Sequence, residues 1–243
     1  MKLFKLSDIL KVQNLSLKAI ENPIGDYYVV KFNSPANLSW TPGEHGIFTL
    51  IGKKFKGRKW RIFSIANTPG DNEIVIVTRT GKDISNYKNS LINMQVGDII
   101  KMNGPFGNFK LLDNSSPLVI FAGGVGISPI MAMVKSLSSE FNAPVHLIYS
   151  SDRYYLFEDE LNELNIDNIN IYKTCTTKEN MLKIAELAQM YGSEAYYLSS
   201  GSKMAVNKIE KQLKFFGIDN DRILKDSFRG IDHVIEPLYN NFI

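Results

Sequence analysis

The stretch Leu118–Lys135, LVIFAGGVGISPIMAMVK, runs from a short apolar segment into three close glycines and then Ser128-Pro129. Leu118–Ala122 has the length and composition of a strand buried on both faces. Gly123, Gly124 and Gly126 permit positive φ and leave bare backbone for a ligand to touch. Ser favours the N-cap and Pro the first helical position, which predicts a helix over about Ser128–Phe141. A strand, a glycine turn and a helix N-terminus form a phosphate cradle, because free N–H groups and the positive end of the helix dipole face the turn. The spacing is Gly-Gly-x-Gly rather than Gly-x-Gly-x-x-Gly, so an ordinary tight strand-to-helix turn stays open as the alternative.

A second cluster is Arg61-Ile62-Phe63-Ser64. It ends a predicted strand, Trp60–Ile65. By period two, Arg61 and Phe63 share one face and Ser64 takes the other. The planar fork of Arg matches a pyrophosphate. An aromatic ring stacks on an isoalloxazine, and a hydroxyl hydrogen-bonds near its reactive N5. Together these residues suit a flavin dinucleotide. The alternative is a strand with a surface Arg and a core Phe.

The elements that must position these residues fall into two kinds. Residues 1–113 read as antiparallel β: Val12–Ile20, Tyr27–Asn33, Gly46–Ile51, Trp60–Ile65, Glu73–Thr80 and Ile99–Asn103. Asn22-Pro23, Pro42-Gly43, Pro69–Asn72 and Val96–Asp98 supply turns between them. One helix, Ile84–Asn93, is expected after a capping Asp83, with Ile84, Tyr87 and Leu91 on one face. The pattern changes at Asp113–Pro117. Beyond it, strands at Leu118–Ala122, Val145–Tyr149, Ile169–Thr174, Ala195–Ser199 and Arg222–Phe228 alternate with helices at Ser128–Phe141, Phe157–Leu164, Asn180–Tyr191 and Ser202–Phe216. The fold class is thus a two-domain α+β chain. A six-stranded antiparallel β-barrel with one helix (1–113) precedes a doubly wound parallel α/β sheet (114–243). Ligands of such sheets sit at the carboxyl ends of the strands. Gly230–Ile243 carries Tyr239 and Phe242 without a clear pattern.

Composition narrows the chemistry. The 243 residues hold one cysteine, Cys175, which excludes intrachain disulfides, thiolate-held iron–sulfur clusters and thiolate zinc sites. The three histidines, His45, His146 and His233, lack metal-ligand spacing, so no metal is expected. No apolar run approaches the ~20 residues of a membrane helix. The amino-terminal segment is broken by Lys, Ser and Asp, which argues against a signal peptide. A soluble, cytoplasmic protein fits. Charge is uneven: 16 Lys+Arg against 9 Asp+Glu up to residue 113, and 12 against 16 beyond it. Such asymmetry suggests two units with different partners. The basic run Lys53–Lys59 reads as a solvated hairpin tip or as a docking surface for an acidic electron carrier; it lacks the aromatic interleaving of a nucleic-acid surface.

Arg61-x-Phe63-Ser64 resembles the Arg-x-Tyr-Ser flavin motif of the ferredoxin–NADP reductase family. Gly123–Pro129 resembles that family's Gly-Gly-x-Gly-x-Thr/Ala-Pro pyridine-nucleotide loop. Pro42-Gly43-Glu44, Val96-Gly97-Asp98 and Gly104-Pro105-Phe106-Gly107 match family turns, and Asp226-Ser227-Phe228 resembles Glu-x-Phe. The motifs come in family order over about residues 10–230. The resemblance implies an FAD barrel followed by an NAD(P)-binding domain. It places FAD on Arg61, Ile62, Phe63 and Ser64, on Val77 and Thr78 of the next strand, and on Gly81, Lys82, Ile84 and Ser85. The last four belong to a segment resembling Gly-x-x-Ser, with one extra residue. Gly123, Gly124, Gly126, Ile127, Ser128, Gly201 and Ser202 would hold the nicotinamide nucleotide. Ser200 stands where the family typically has Cys, and Ser202 where it has Pro. Ser64 and Ser200 are the implied catalytic positions.

The activity implied is hydride transfer from NAD(P)H to FAD N5, then single electrons to a carrier such as ferredoxin or flavodoxin. The alternative is an electron-relay reductase subunit of a larger complex. For the nucleotide, Arg153, Thr177 and Lys178 are candidates for a 2′-phosphate and Asp152 for a 2′-hydroxyl, with Ser151 beside them as a further cofactor contact and the balance tipped slightly to NADPH. Cys175 reads as a partly buried inert thiol, and His45 as a barrel-edge residue rather than a base.

Overall fold

A computed structural model describes residues 6–52, 56–137, 141–164 and 168–227. These divide into two compact units. One runs up to Lys110 and takes in Ser128–Ser136; the other holds Leu111–Ile127 and the described residues from Leu137 onward.

In the first unit a short helix, α1 (Leu6–Ile9), precedes β1 (Val12–Ile24), β2 (Tyr27–Asn33), β3 (His45–Leu50), β4 (Trp60–Ser64), β5 (Glu73–Arg79), α2 (Asn86–Ile92) and β6 (Ile99–Phe106). The strands form one antiparallel sheet in the order β4-β3-β6-β1-β2-β5. Its two end strands meet. Just past β4 the Ala66 N–H donates to Val75 O at 2.8 Å, and the Val75 N–H donates to Asn67 Oδ1 at 2.9 Å. The sheet therefore curls into a barrel around Leu15, Leu17, Val30, Phe32, Phe48, Ile74, Ile76, Ile100 and Met102. Burying each such side chain contributes ~1.5–3 kcal/mol.

Three expectations are corrected here. Asn22-Pro23 is not a turn: β1 continues to Ile24, which pairs with Tyr27 across Gly25-Asp26. The register slips between Glu21 and Ile24, so Pro23 sits in an irregularity where its missing N–H breaks no ladder bond. Gly25, at φ 55°, supplies the positive φ of a two-residue hairpin. Ser85, not Asp83, caps α2, because its hydroxyl reaches the Lys88 N–H at 3.3 Å. Ile84 consequently lies ahead of the helix and is 37% exposed, while Tyr87 and Leu91 are buried. The Tyr87 hydroxyl donates to Phe48 O at 2.8 Å and pins α2 to the barrel. His45 is no edge residue: β3 is an interior strand, and His45 lies between Ser64 and Phe106 at 5% exposure.

The next strand and helix are β7 (Leu118–Gly123) and α3 (Ile127–Lys135). They are followed by β8 (Val145–Ser150), α4 (Glu158–Asn162), β9 (Ile169–Thr174), α5 (Thr177–Tyr191), β10 (Tyr196–Gly201), α6 (Lys203–Phe215) and β11 (Ile223–Ser227). The second unit's sheet is parallel throughout, in the order β11-β10-β7-β8-β9. The chain steps outward from β7 to β9, then returns to the other side of β7. Strand order reverses between β7 and β10, the point where open parallel sheets leave a crevice for ligands. Ile184 and Leu187 of α5 and Ile209 and Leu213 of α6 pack on Val119, Phe121, Ile148 and Tyr197.

Here too the structure departs from expectation. A 3-10 turn, Gly124–Gly126, leads directly into α3 at Ile127, so Ser128 lies inside the helix and does not cap it. Pro129 is tolerated because first-turn amides have no intrahelical acceptor. The helix ends at Lys135, short of Phe141. Helix α5 starts before Asn180, because Thr176 and Glu179 form a capping box. Cys175 is exposed rather than partly buried. The hydrogen bond and nearby charge of the Glu179 carboxylate push its thiol pKa up. Lys53–Phe55 of the basic run, and Phe228, His233, Tyr239 and Phe242, lie outside the described residues.

Candidate functional site

In the second unit, β7 and β10 run side by side, with Ser200 opposite Ala122. The glycine turn that follows β7 therefore meets the end of β10. A Cβ on Gly126 would lie 2.2 Å from Ser200 O, so only glycine allows the turn to close against β10. Gly201 lies against Gly123, where a Cβ would make ordinary contacts at 3.4 Å with three Gly123 backbone atoms; it is the φ of 156° that favours glycine there. The structure thus brings Gly123, Gly124, Gly126, Ser200 and Gly201 together at the reversal of strand order, though the first three are far from the last two in sequence.

Ser200 is 0% exposed, and its hydroxyl donates to Asp226 Oδ2 at 3.3 Å. Parallel pairing of β10 with β11 sets this contact by placing Asp226 opposite Ser200. Ser202 is exposed and caps α6, accepting the Ala205 N–H at 3.3 Å. Ile127 and Ser128 are buried in the first turn of α3.

A separate edge is formed by the carboxyl ends of β8 and β9. The Ser151 N–H donates to Thr174 O at 3.0 Å, and its hydroxyl to Tyr154 O at 2.6 Å. Thr174 Oγ1 donates to Asn180 Oδ1 at 2.5 Å, and Asn180 Nδ2 to Ser150 Oγ at 2.9 Å. Arg153 is exposed beyond β8, and Lys178 is exposed in the first turn of α5 rather than in a loop.

In the first unit, Arg61 and Phe63 share a face, as their spacing predicts, and both meet Tyr87. The Arg61 guanidinium lies 5.1 Å over the Tyr87 ring. It also donates to Trp60 O at 2.8 Å and Arg58 O at 3.3 Å. Phe63 packs edge-on to Phe48, with ring centroids 5.8 Å apart, and its centroid lies 6.2 Å from that of Tyr87. Ser64 is buried opposite His45. Ile62 is half-buried; Val77 and Thr78 are buried within β5. Gly81, Lys82 and Ile84 are exposed ahead of α2, while Ser85 caps it. The Gly81 N–H donates to Asp26 Oδ2 at 3.0 Å, and Asp26 pairs with Arg79 at 3.0 Å. Burial opposes ionisation of Asp26, yet Arg79 and that N–H hold its pKa below the usual range.

Sequence reasoning overlooked Tyr87 as the ring that gathers Arg61 and Phe63, and Asp226 as the partner of Ser200. Register carries the second pairing, which no local spacing could reveal. Among the described residues no group of three or more His, Cys, Asp or Glu is placed to hold a metal.

Comparisons with known proteins agree with this architecture. No family model matches the chain. It is 25% identical over 214 residues to the toluate 1,2-dioxygenase electron transfer component of Pseudomonas putida, covering 82% of this chain and 62% of that one. Ferredoxin-NADP+ reductase from Plasmodium falciparum superposes with a TM-score of 0.77 at 17% identity, covering 93% of this chain and all of that one (100%). A ferredoxin NADP+ reductase from Neisseria gonorrhoeae, solved with bound FAD and NADP, gives a TM-score of 0.76 at 16% identity over 89% of this chain and 98% of that one. The fold is that of the ferredoxin–NADP reductases. The relatives are reductase and electron-transfer components and flavoproteins, which matches the family that the ordered motifs resemble. The chain spans less than two thirds of the length of the first curated relatives it matches.

Proposed function

We propose that the chain is an FAD-dependent NAD(P)H oxidoreductase that passes electrons to a protein carrier. The observation that carries this reading is the meeting of the Gly123–Gly126 turn with Ser200 and Gly201 where strand order reverses. A nucleotide pyrophosphate fits there, because close-packed glycine backbone leaves no side chain between a ligand and the turn. On the barrel, FAD fits the half-buried Arg61 fork, the Phe63 ring and the Ser64 hydroxyl, with Val77, Thr78 and the Gly81–Ser85 segment as further contacts. Bound FAD supplies hydride acceptance at N5 and one-electron release. The protein's own part is to bind and orient. Arg61 neutralises phosphate charge while Tyr87 holds its side chain in place. Asp226 holds the hydroxyl of Ser200 in the position that a Cys takes in the family.

On this reading the barrel, residues 1–113, is the FAD domain and 114–243 the NAD(P) domain. The carrier is an acidic protein drawn to the basic first unit. The naming of relatives as components of dioxygenases supports a second reading, a relay subunit acting within a larger complex. The test is the visible spectrum of the purified chain before and after anaerobic addition of NADH or NADPH, then turnover with an artificial acceptor. A yellow protein bleached by nucleotide and turning over alone supports the enzyme. Bleaching with turnover only in the presence of a partner protein favours the relay. A colourless chain that takes up no FAD overturns both.

A further inference from the structure

The edge beyond β8 and β9 bears on which nucleotide the site takes. This inference rests on the reading of the second unit as a nicotinamide-nucleotide domain. With pyrophosphate at the Gly123–Gly126 turn and nicotinamide toward Ser200 on β10, the adenosine half lies on the opposite side, across the ends of β8 and β9. The ribose 2′ position there distinguishes a neutral hydroxyl from a phosphate dianion.

At this edge the amides that would receive a phosphate already have an anion. The Glu179 carboxylate accepts the Cys175 N–H at 2.9 Å and the Thr176 N–H at 3.0 Å. The Cys175 thiol donates to the same oxygen at 3.5 Å. The Thr176 hydroxyl accepts the Glu179 N–H at 3.2 Å, which closes the capping box. Those backbone hydrogen bonds hold the Glu179 pKa below the ordinary carboxylate value, so it is ionised at neutral pH. Thr174 O accepts from Ser151 and from the Tyr155 hydroxyl, and Thr174 Oγ1 is committed to Asn180. The edge is thus fixed by its own hydrogen bonds.

The remaining charges only balance this carboxylate and leave no excess of positive charge for a phosphate. Asp152, Arg153, Lys178 and Glu179 sum to zero formal charge. Arg153 and Lys178 are exposed, and a solvent-screened surface cation adds little against an anion that the backbone holds in place. Beyond these, Lys173 is paired with Glu158. A 2′-phosphate would bring a second anion against Glu179, whereas a 2′-hydroxyl can donate to a carboxylate.

We infer that Glu179 is a specificity-determining residue that makes this chain take NADH in preference to NADPH. The test is calorimetric titration of the full chain with ADP and with 2′-phospho-ADP, which needs neither flavin nor turnover. Steady-state comparison of NADH with NADPH follows. Wild type should bind ADP about tenfold or more tighter than 2′-phospho-ADP. Glu179→Gln keeps a capping-box residue and removes the charge. It should erase most of that ratio, chiefly by strengthening 2′-phospho-ADP binding, with the smaller part from a weaker hydrogen bond to the ADP 2′-hydroxyl. If this variant does not fold, salt gives the same information: raising ionic strength should shrink the wild-type ratio as screening grows. Equal or tighter binding of 2′-phospho-ADP by wild type, or a ratio that neither the variant nor salt changes, overturns the inference and leaves the nucleotide site standing. Binding of neither probe overturns the nucleotide reading together with the inference.

Discussion

At the scale of single residues, the proposal stands on Arg61, Gly126 and Ser200. Arg61 is held by two carbonyls and the Tyr87 ring, so its fork is ordered before any phosphate arrives. Arg61→Ala should leave a flavin phosphate without its cation, and the protein should purify largely colourless; Arg61→Lys should keep partial flavin content. Absorbance near the flavin band, normalised to protein, reads this. Gly126→Ala places a methyl against Ser200 O and cannot be accommodated without backbone movement. Thermal midpoint and nucleotide affinity should fall together, with flavin content on the barrel retained. Ser200→Cys should preserve nucleotide oxidation or raise it modestly. Ser200→Ala should lower it without abolishing it, because the hydroxyl positions rather than reacts. Complete loss in Ser200→Ala would assign that hydroxyl a covalent role instead. Gly126 and Ser200 could each be picked out from type and spacing, but their contact could not, since it joins two strands far apart in sequence.

Elements set where these residues sit, and two caps set the elements. Ser85 starts α2, and α2 brings Tyr87 to Arg61 and Phe63. Ser85→Ala should cost ~1 kcal/mol of stability. It should also weaken flavin retention, while Asp83→Ala should do neither; denaturant melts monitored by flavin fluorescence separate the two. The wrong choice of cap arose because Asp and Ser are both good N-caps two residues apart. The choice falls to where Tyr87 can reach Phe48 O. The reverse holds at Thr176-x-x-Glu179, whose spacing is a readable capping box. Its consequence, a carboxylate seated on the amides of residues 175 and 176, emerges only once α5 is in place.

For the molecule as a whole, each unit carries its own core, and unfolding need not be a single transition. In the second unit the His146 ring nitrogens lie 3.1 and 2.9 Å from the hydroxyls of Tyr172 and Tyr191. Burial, and then the Lys183 charge, hold its pKa below 6.5, with Glu186 opposing. The folded unit therefore keeps His146 neutral where the unfolded chain begins to protonate it. Above pH ~6.5 both states are neutral and stability is flat. Below it the unfolded state binds more protons, and stability falls until pH reaches the folded pKa. The second unit's thermal midpoint should drop as pH falls below about 6.5, and His146→Gln should flatten that slope. An unchanged slope would place the pH dependence elsewhere. The sequence by itself determined the two architectures, because period-two and strand–helix patterns report which faces avoid water. It also singled out the Arg61–Ser64 and Gly123–Gly126 segments as candidates, since residue type and spacing are local. Tertiary structure alone decided which strands are neighbours, and with that the burial of His45, the pairing of Ser200 with Asp226 and the closure of Gly126 on β10. Strand order and register are set by the summed packing of faces far apart in the chain, and no stretch of sequence records that sum.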